Sequence, residues 1–184
     1  MNEFQKELDY YKKLNSAVKH GEVVLLGSTF AGNIPVSELA QAFETDCRIY
    51  SRCFNDLSVS DALSVVNEAV LSLNPSKVVI QLGETDIERG YKSVNEIISD
   101  YEKLIGMIKA YDRKMKIVIV SVCSSESETT ELNKALEKMA DRNKCQFADI
   151  GNDYSSDSPY IKAFSKLRYF FQERISLFDI MNPA

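Results

Sequence analysis

The chain has 184 residues, 45% of them hydrophobic and 27% charged, with a formal net charge of −5 and an isoelectric point of about 5.1. This length and balance suit one globular domain over 1–184 with a full core. The acidic balance opposes a nucleic-acid or anionic-membrane partner, no apolar run approaches the ~20 residues of a membrane span, and the polar start Met1-Asn2-Glu3-Phe4-Gln5-Lys6-Glu7 does not read as a secretory signal, so a cytoplasmic location is the default expectation.

In chain order, residues 2–18 predict a helix, with Phe4, Leu8, Tyr11 and Val18 at helical spacing. Residues 22–27 read as a strand. Pro35 opens a helix over 35–45, since proline suits a first helical turn, and 47–52 read as a second strand. Asp56 or Ser58 caps a helix over 59–73 that stops before Asn74-Pro75. Lys77-Val78-Val79-Ile80-Gln81-Leu82 is a third strand. Residues 93–111 form a long amphipathic helix with one apolar stripe from Val94 to Ile108. The fourth strand is 116–121, a helix follows over 127–142, the fifth strand is 145–149, and a last helix covers 158–177.

Strand–helix alternation predicts a three-layer α/β/α sandwich around a five-stranded parallel sheet. The third and fourth strands are near-continuous apolar runs, as strands buried on both faces are. The expected strand order is flavodoxin-like, 2-1-3-4-5, with the ligand crevice at the carboxyl ends of the first and third strands.

Cys47, Cys53, Cys123 and Cys145 form no Cys-x-x-Cys pair and lie in or beside apolar runs, which reads as reduced core thiols. His20 is the only histidine, no cluster has metal-ligand spacing, and neither a metal nor another cofactor is expected. His20 precedes the first strand and reads as a solvent-facing residue near a helix C-terminus.

Two segments point at the crevice. Leu25-Leu26-Gly27-Ser28-Thr29-Phe30-Ala31-Gly32 runs from a buried strand into a glycine–hydroxyl–hydroxyl turn, where an α/β protein places a nucleophile or a phosphate-cradling loop. Gly83-Glu84-Thr85-Asp86 ends the third strand at the same edge. With the segment after the second strand, Ser28, Thr29, Asn55, Asp56, Glu84, Thr85 and Asp86 give a polar, acidic crevice. Such a crevice favours cationic or polyhydroxyl ligands over acyl chains.

These blocks, in this order, resemble the SGNH (GDSL-type) hydrolases over nearly the whole chain, and most of all their bacterial acetylhydrolase-like branch. The resemblance rests on Tyr10-Tyr11-Lys12-Lys13-Leu14-Asn15 with Gly21-Glu22-Val23-Val24-Leu25-Leu26-Gly27, on Asn33-Ile34-Pro35-Val36-Ser37-Glu38-Leu39, on Pro75 to Asp86 as the strand and Gly-x-Asn-Asp block, and on Glu131-Leu132-Asn133-Lys134-Ala135-Leu136. It implies a nucleophilic serine in the first block and a histidine near the C-terminus, oriented by an aspartate just before it. It also implies an oxyanion hole made by the serine N–H, a second-block glycine N–H and a third-block asparagine.

This chain departs from that pattern at each point. The family's Gly-Asp-Ser falls on Gly27-Ser28-Thr29, so Thr29 holds the nucleophile position, with a β-methyl that restricts χ1. Asn55 and Asp56 carry side chains where the family has glycine, and Thr85 stands for the oxyanion asparagine. Asp157 opens the Asp-x-x-His segment, but Asp157-Ser158-Pro159-Tyr160-Ile161 contains no histidine. Loss of one oxyanion donor lowers the rate by roughly 10²–10³, and loss of a triad member leaves only roughly 10³–10⁴ over the uncatalysed reaction. The expectation is a catalytically inactive or severely weakened relative with a ligand-binding or scaffold role.

Two rivals stay open. A weak esterase or acetylhydrolase would use Thr29 with Asp86, Asp157 or a water as base, or Ser28 under a shifted register. Asp86 also reads as a cap or turn residue, Ser28 as a turn-stabilising hydroxyl, and Cys53 as a packed thiol rather than a replacement nucleophile. Alternatively, Gly27 to Asn33 resembles the flavodoxin phosphate loop, which implies FMN binding with Phe30, Phe54 or Tyr91 against the flavin. The partner at the crevice is an unspecified small ligand or protein. A homodimer suits the architecture without a sequence signature, and the tail from Asp179 to Ala184 is free or ordered by a neighbour.

Overall fold

A computed structural model of the chain describes residues 3–151 and 157–172. The elements are α1 (Glu3–Asn15), β1 (Val23–Gly27), α2 (Thr29–Gly32), α3 (Val36–Ala42), β2 (Ile49–Cys53), α4 (Val59–Ala69), β3 (Lys77–Gln81), α5 (Glu84–Arg89), α6 (Val94–Tyr111), β4 (Lys116–Val120), α7 (Thr129–Arg142), β5 (Gln146–Ala148) and α8 (Pro159–Phe171). The strands pair in parallel in the order β2-β1-β3-β4-β5. This is the expected three-layer sandwich and strand order.

The layers follow from alternation along each strand. Val24 and Leu26 of β1, Val78 and Ile80 of β3, and Ile117 and Ile119 of β4 enter one core with α1, α4, α6 and α7. Val23, Leu25, Val79, Val118 and Val120 enter the other with α2, α3 and α8. Successive side chains of a strand point to opposite faces, so a strand covered on both faces is apolar at every position.

Helix α1 docks through polar groups as well as Leu8. The Tyr11 hydroxyl donates to the Cys53 carbonyl at 2.6 Å. The Asn15 amide donates to the carbonyls of Glu68 and Ala69 and to Ser72 Oγ, and Asn15 Oδ1 accepts from Arg52 Nε at 2.9 Å and Nη2 at 2.7 Å. The Arg52 guanidinium lies 5.0 Å from the centre of the Tyr11 ring.

Several boundaries differ from expectation. β2 begins at Ile49 because it is set by pairing with Val23 of β1, not by the apolar start at Cys47. The helix expected over 35–45 ends at Ala42, and the chain reaches a left-handed residue at Glu44. The helix expected over 59–73 is α4 followed by a 3-10 turn, Leu71–Leu73, closed by a left-handed Asn74. Helix α1 ends at Asn15 rather than 18. The short helices α2 and α5 stand where turns were expected. The last helix is described to Phe171; the rest of its expected span and the tail lie outside the described residues. Among the described residues, no helix is long and apolar enough to cross a membrane, and no group of three or more His, Cys, Asp or Glu is placed to hold a metal ion.

Candidate functional site

β1 and β3 are neighbours, so the turns that follow them meet at the carboxyl edge of the sheet. Gly27 closes β1 because nothing larger fits: a Cβ there would lie 2.3 Å from the Ala31 Cβ and 3.1 Å from the Gln81 carbonyl oxygen. Gly83 after β3 is required twice over, by a φ of +121° and by Leu132 Cδ2, 2.9 Å from where its Cβ would sit. Beyond β4, Asn133 of α7 braces the Val122 backbone, its Oδ1 accepting from the N–H at 2.7 Å and its Nδ2 donating to the carbonyl at 2.9 Å. That brace holds the backbone leading into Cys123-Ser124-Ser125.

Between these turns lies a cleft of about 160 Å³. Four of the expected crevice residues line it: Thr29, Asp56, Glu84 and Thr85. The Thr29 hydroxyl donates to Asp56 Oδ1 at 3.3 Å and accepts from the Asp56 N–H at 3.0 Å. Asp56 holds a left-handed backbone, φ 53°, of the kind glycine adopts most readily.

The other expected residues have different places. Ser28 is wholly buried behind the cleft wall, its hydroxyl 3.0 Å from the Thr85 hydroxyl. Asp86 takes the capping role: its Oδ2 accepts from the Val59 N–H at the start of α4 at 2.9 Å. Burial raises the Asp86 carboxyl above its usual range, and the Val59 N–H acts against that. Asn55 and Asp157 are exposed and stand outside the cleft lining. Burial pushes the Cys53 thiol up to about 12, and its sulfur faces the Leu25 carbonyl at 3.8 Å, so it is a packed thiol. His20 lies before the amino end of β1, its Nε2 3.4 Å from the Asn15 carbonyl. At ~3.3 Å per residue, the five residues of β1 alone put roughly 16 Å of strand between it and Thr29.

Glu84 stands apart electrostatically. It is 5% exposed, its Oε2 accepts from Gln81 Nε2 at 3.4 Å, and its Oε1 has no hydrogen-bond partner among the described residues; Gln81 Oε1 has none either. Burial pushes the Glu84 carboxyl up to about 7, and the backbone N–H groups of Glu84 and Phe30 pull it partly back.

The cleft also takes residues that the crevice set did not include. Phe30 and Tyr160 form one wall, ring centres 5.3 Å apart, with Asn33 Nδ2 donating to the Tyr160 hydroxyl at 3.4 Å. The rings flank the cleft and leave it open. Glu88, Cys123, Ser124 and Ser125 complete the lining. Glu88 had a signal, since it follows Glu84 by four residues and shares its helical face once Gly83 is read as a helix start. Ser124 and Ser125 carry no local signal beyond following a strand. The arrangement is a poor phosphate cradle, because the Asp56 carboxylate sits on the Thr29 hydroxyl and Ser28 is turned into the core.

No family model and no curated protein matches the chain by sequence. Solved structures do match in three dimensions. A protein from Streptococcus pneumonia, provisionally named a platelet activating factor, superposes with a TM-score of 0.79 at 17% identity, covering 92% of this chain and 93% of that one. A GDSL-like lipase from Bacteroides thetaiotaomicron gives 0.67 at 18% identity, over 78% and 77%. A variant of an acetyl-xylooligosaccharide esterase from Geobacillus Stearmophilus gives 0.66 at 16% identity, over 86% and 98%. With the strand order and the edge geometry above, these likenesses give the chain the fold of the SGNH (GDSL-type) hydrolases.

Proposed function

We propose that the chain is an SGNH-fold protein with little or no ester-hydrolase activity that binds a small ligand at the carboxyl edge of its sheet. The observation that carries this reading is the neighbourhood of the Thr29 hydroxyl, whose partners among the described residues both come from Asp56, one a carboxylate and one a backbone N–H. No imidazole stands there to take a proton from the nucleophile position, and the chain's one histidine is at the opposite end of β1. The resemblance puts the oxyanion near the second block, where the Asp56 carboxylate would oppose its charge. The lipase and esterase names of the neighbours describe those proteins; here the nucleophile position has kept its place in the fold without a base.

The test is hydrolysis of p-nitrophenyl acetate by the wild type beside Thr29→Ala at matched concentration. The expected result is that both run at the buffer rate. Turnover well above buffer that disappears in Thr29→Ala would overturn the reading and establish the rival one, a weak esterase working through Thr29.

A further inference from the structure

We infer that the cleft is a subsite for a primary ammonium group, held by the buried Glu84 carboxylate. The inference rests on the ligand-binding reading above and names the class of ligand.

Charge is the first support. Asp56, Glu84 and Glu88 line the cleft, and among the described residues its lining contains no lysine, arginine or histidine. Arg89, at the far end of α5, is engaged elsewhere by Asp61 Oδ2 at 3.3 Å and the Asp56 carbonyl at 3.0 Å.

The second support is independent of the first. Glu84 is 95% buried, yet its Oε1 has no partner among the described residues, and neither does the neighbouring Gln81 Oε1. A buried acceptor left without a donor is costly, and more so when it is charged. A carboxylate offers only acceptors, so this pair of side chains is short of donors. A ligand with N–H donors and positive charge supplies both missing quantities at once. A phosphate or carboxylate would add a fourth negative charge. A neutral hydroxyl would satisfy a hydrogen bond without offsetting charge. A quaternary ammonium would offset charge without supplying an N–H.

The remaining walls fit the same occupant. The Thr29 and Thr85 hydroxyls offer further acceptors for the three N–H bonds of an ammonium. Phe30 and Tyr160 give a ring pair beside which an alkyl stem or a cation is stabilised. The volume of about 160 Å³ is well below the roughly 300–1,000 Å³ of pockets for drug-sized ligands, so a head group enters rather than a whole large molecule.

A proton competes with the ammonium for Glu84, because burial brings the carboxyl up to about 7. The titratable groups around it are Glu88 on the same helix, Cys53 of β2, Asp56 beyond it, Tyr101 of α6, Cys123 after β4 and Tyr160 of α8. Burial raises Cys53 and Tyr101 far above neutrality, so both stay neutral there. Since only the ionised fraction of Glu84 binds, apparent affinity should rise about tenfold between about pH 6 and about pH 8.

The experiment titrates the full chain with propylammonium chloride and follows backbone amide shifts of Thr29, Glu84 and Thr85 by NMR. Tetramethylammonium chloride, 1-propanol and glycerol serve as controls. The expected result is saturable shifts with propylammonium, about tenfold tighter at the higher pH, weak or absent with the three controls, and lost in Glu84→Gln. Propylammonium binding that survives Glu84→Gln unchanged would overturn the assignment. So would equal affinity at the two pH values, a result read on the wild type even if the variant fails to fold. Saturable binding of glycerol or tetramethylammonium without propylammonium would overturn the ammonium class and leave the ligand-binding reading standing. That broader reading fails by a different result, Thr29-dependent ester turnover.

Discussion

Two buried polar clusters, one under α1 and one at the end of β3, behave in opposite ways. Under α1, Arg52, Asn15 and Tyr11 form a closed network: both Asn15 amide groups are used, Arg52 donates from three nitrogens, and Tyr11 caps the Cys53 carbonyl. At the carboxyl edge, Glu84 and Gln81 share one long bond and keep two buried oxygens without donors among the described residues. A complete buried network rigidifies and specifies a core, while an incomplete one raises the free energy of the unliganded protein. The closed cluster positions a helix, and the open cluster is the inferred ammonium subsite.

That contrast can be broken from either side. The largest effect is expected from Asn15→Leu, which takes from the buried Arg52 guanidinium the side-chain acceptor of its Nε and Nη2 and leaves it only the Ser51 carbonyl. A loss of about 3 kcal/mol or more in urea denaturation is expected, as for leaving a buried charged donor short of acceptors. A loss below about 1 kcal/mol, the net worth of one ordinary hydrogen bond, would show that the network is not structural.

Next comes Glu84→Gln. The folded carboxyl titrates at about 7 against an ordinary 4.5, so its stabilising contribution is complete below the lower value and is lost as pH rises through the upper one. The wild type is therefore expected to lose up to about 3 kcal/mol from this group across that window. Glu84→Gln should flatten the fall in Tm and be at least as stable as the wild type at about pH 8. The raised Asp86 carboxyl, whose shift has the same sign, leaves a smaller slope in the variant. An unaltered slope in Glu84→Gln would remove Glu84 from the account.

The smallest effect belongs to Thr29→Ala. Its two bonds to Asp56 are exposed, so the cost should stay below about 1 kcal/mol. A larger loss would make the Thr29–Asp56 pair a structural staple rather than a wall of a site.

The comparison also explains what could be read from residues alone. β3 and β4 were legible to within a residue because continuous apolar runs leave little choice, and α6 because Ser93 caps it and its stripe is long. The helices α2 and α5, of four and six residues, were not, since about one turn of helix carries no periodicity and forms only through its tertiary setting. At the site, the topology rule brought Thr29, Asp56, Glu84 and Thr85 to one edge. It could not say which way each side chain turns. Ser28 points into the core and Asp86 caps α4, choices made by the backbone angles at a helix start rather than by residue type. The missing donors at Glu84 were invisible for the same reason, because satisfaction is a property of the assembled neighbourhood.

The docking of α1 has a kinetic consequence. The Asn15 amide finds its partners 53 to 57 positions later in the chain, and Tyr11 finds its own 42 positions later. Closing loops of that length is entropically opposed until the distant segments are themselves ordered. Within this chain α1 is made before its partners and is therefore among the last of its elements to settle. During synthesis its partly apolar face waits for β2 and α4, and protection of its amides in pulsed hydrogen exchange should trail that of β1 and β3.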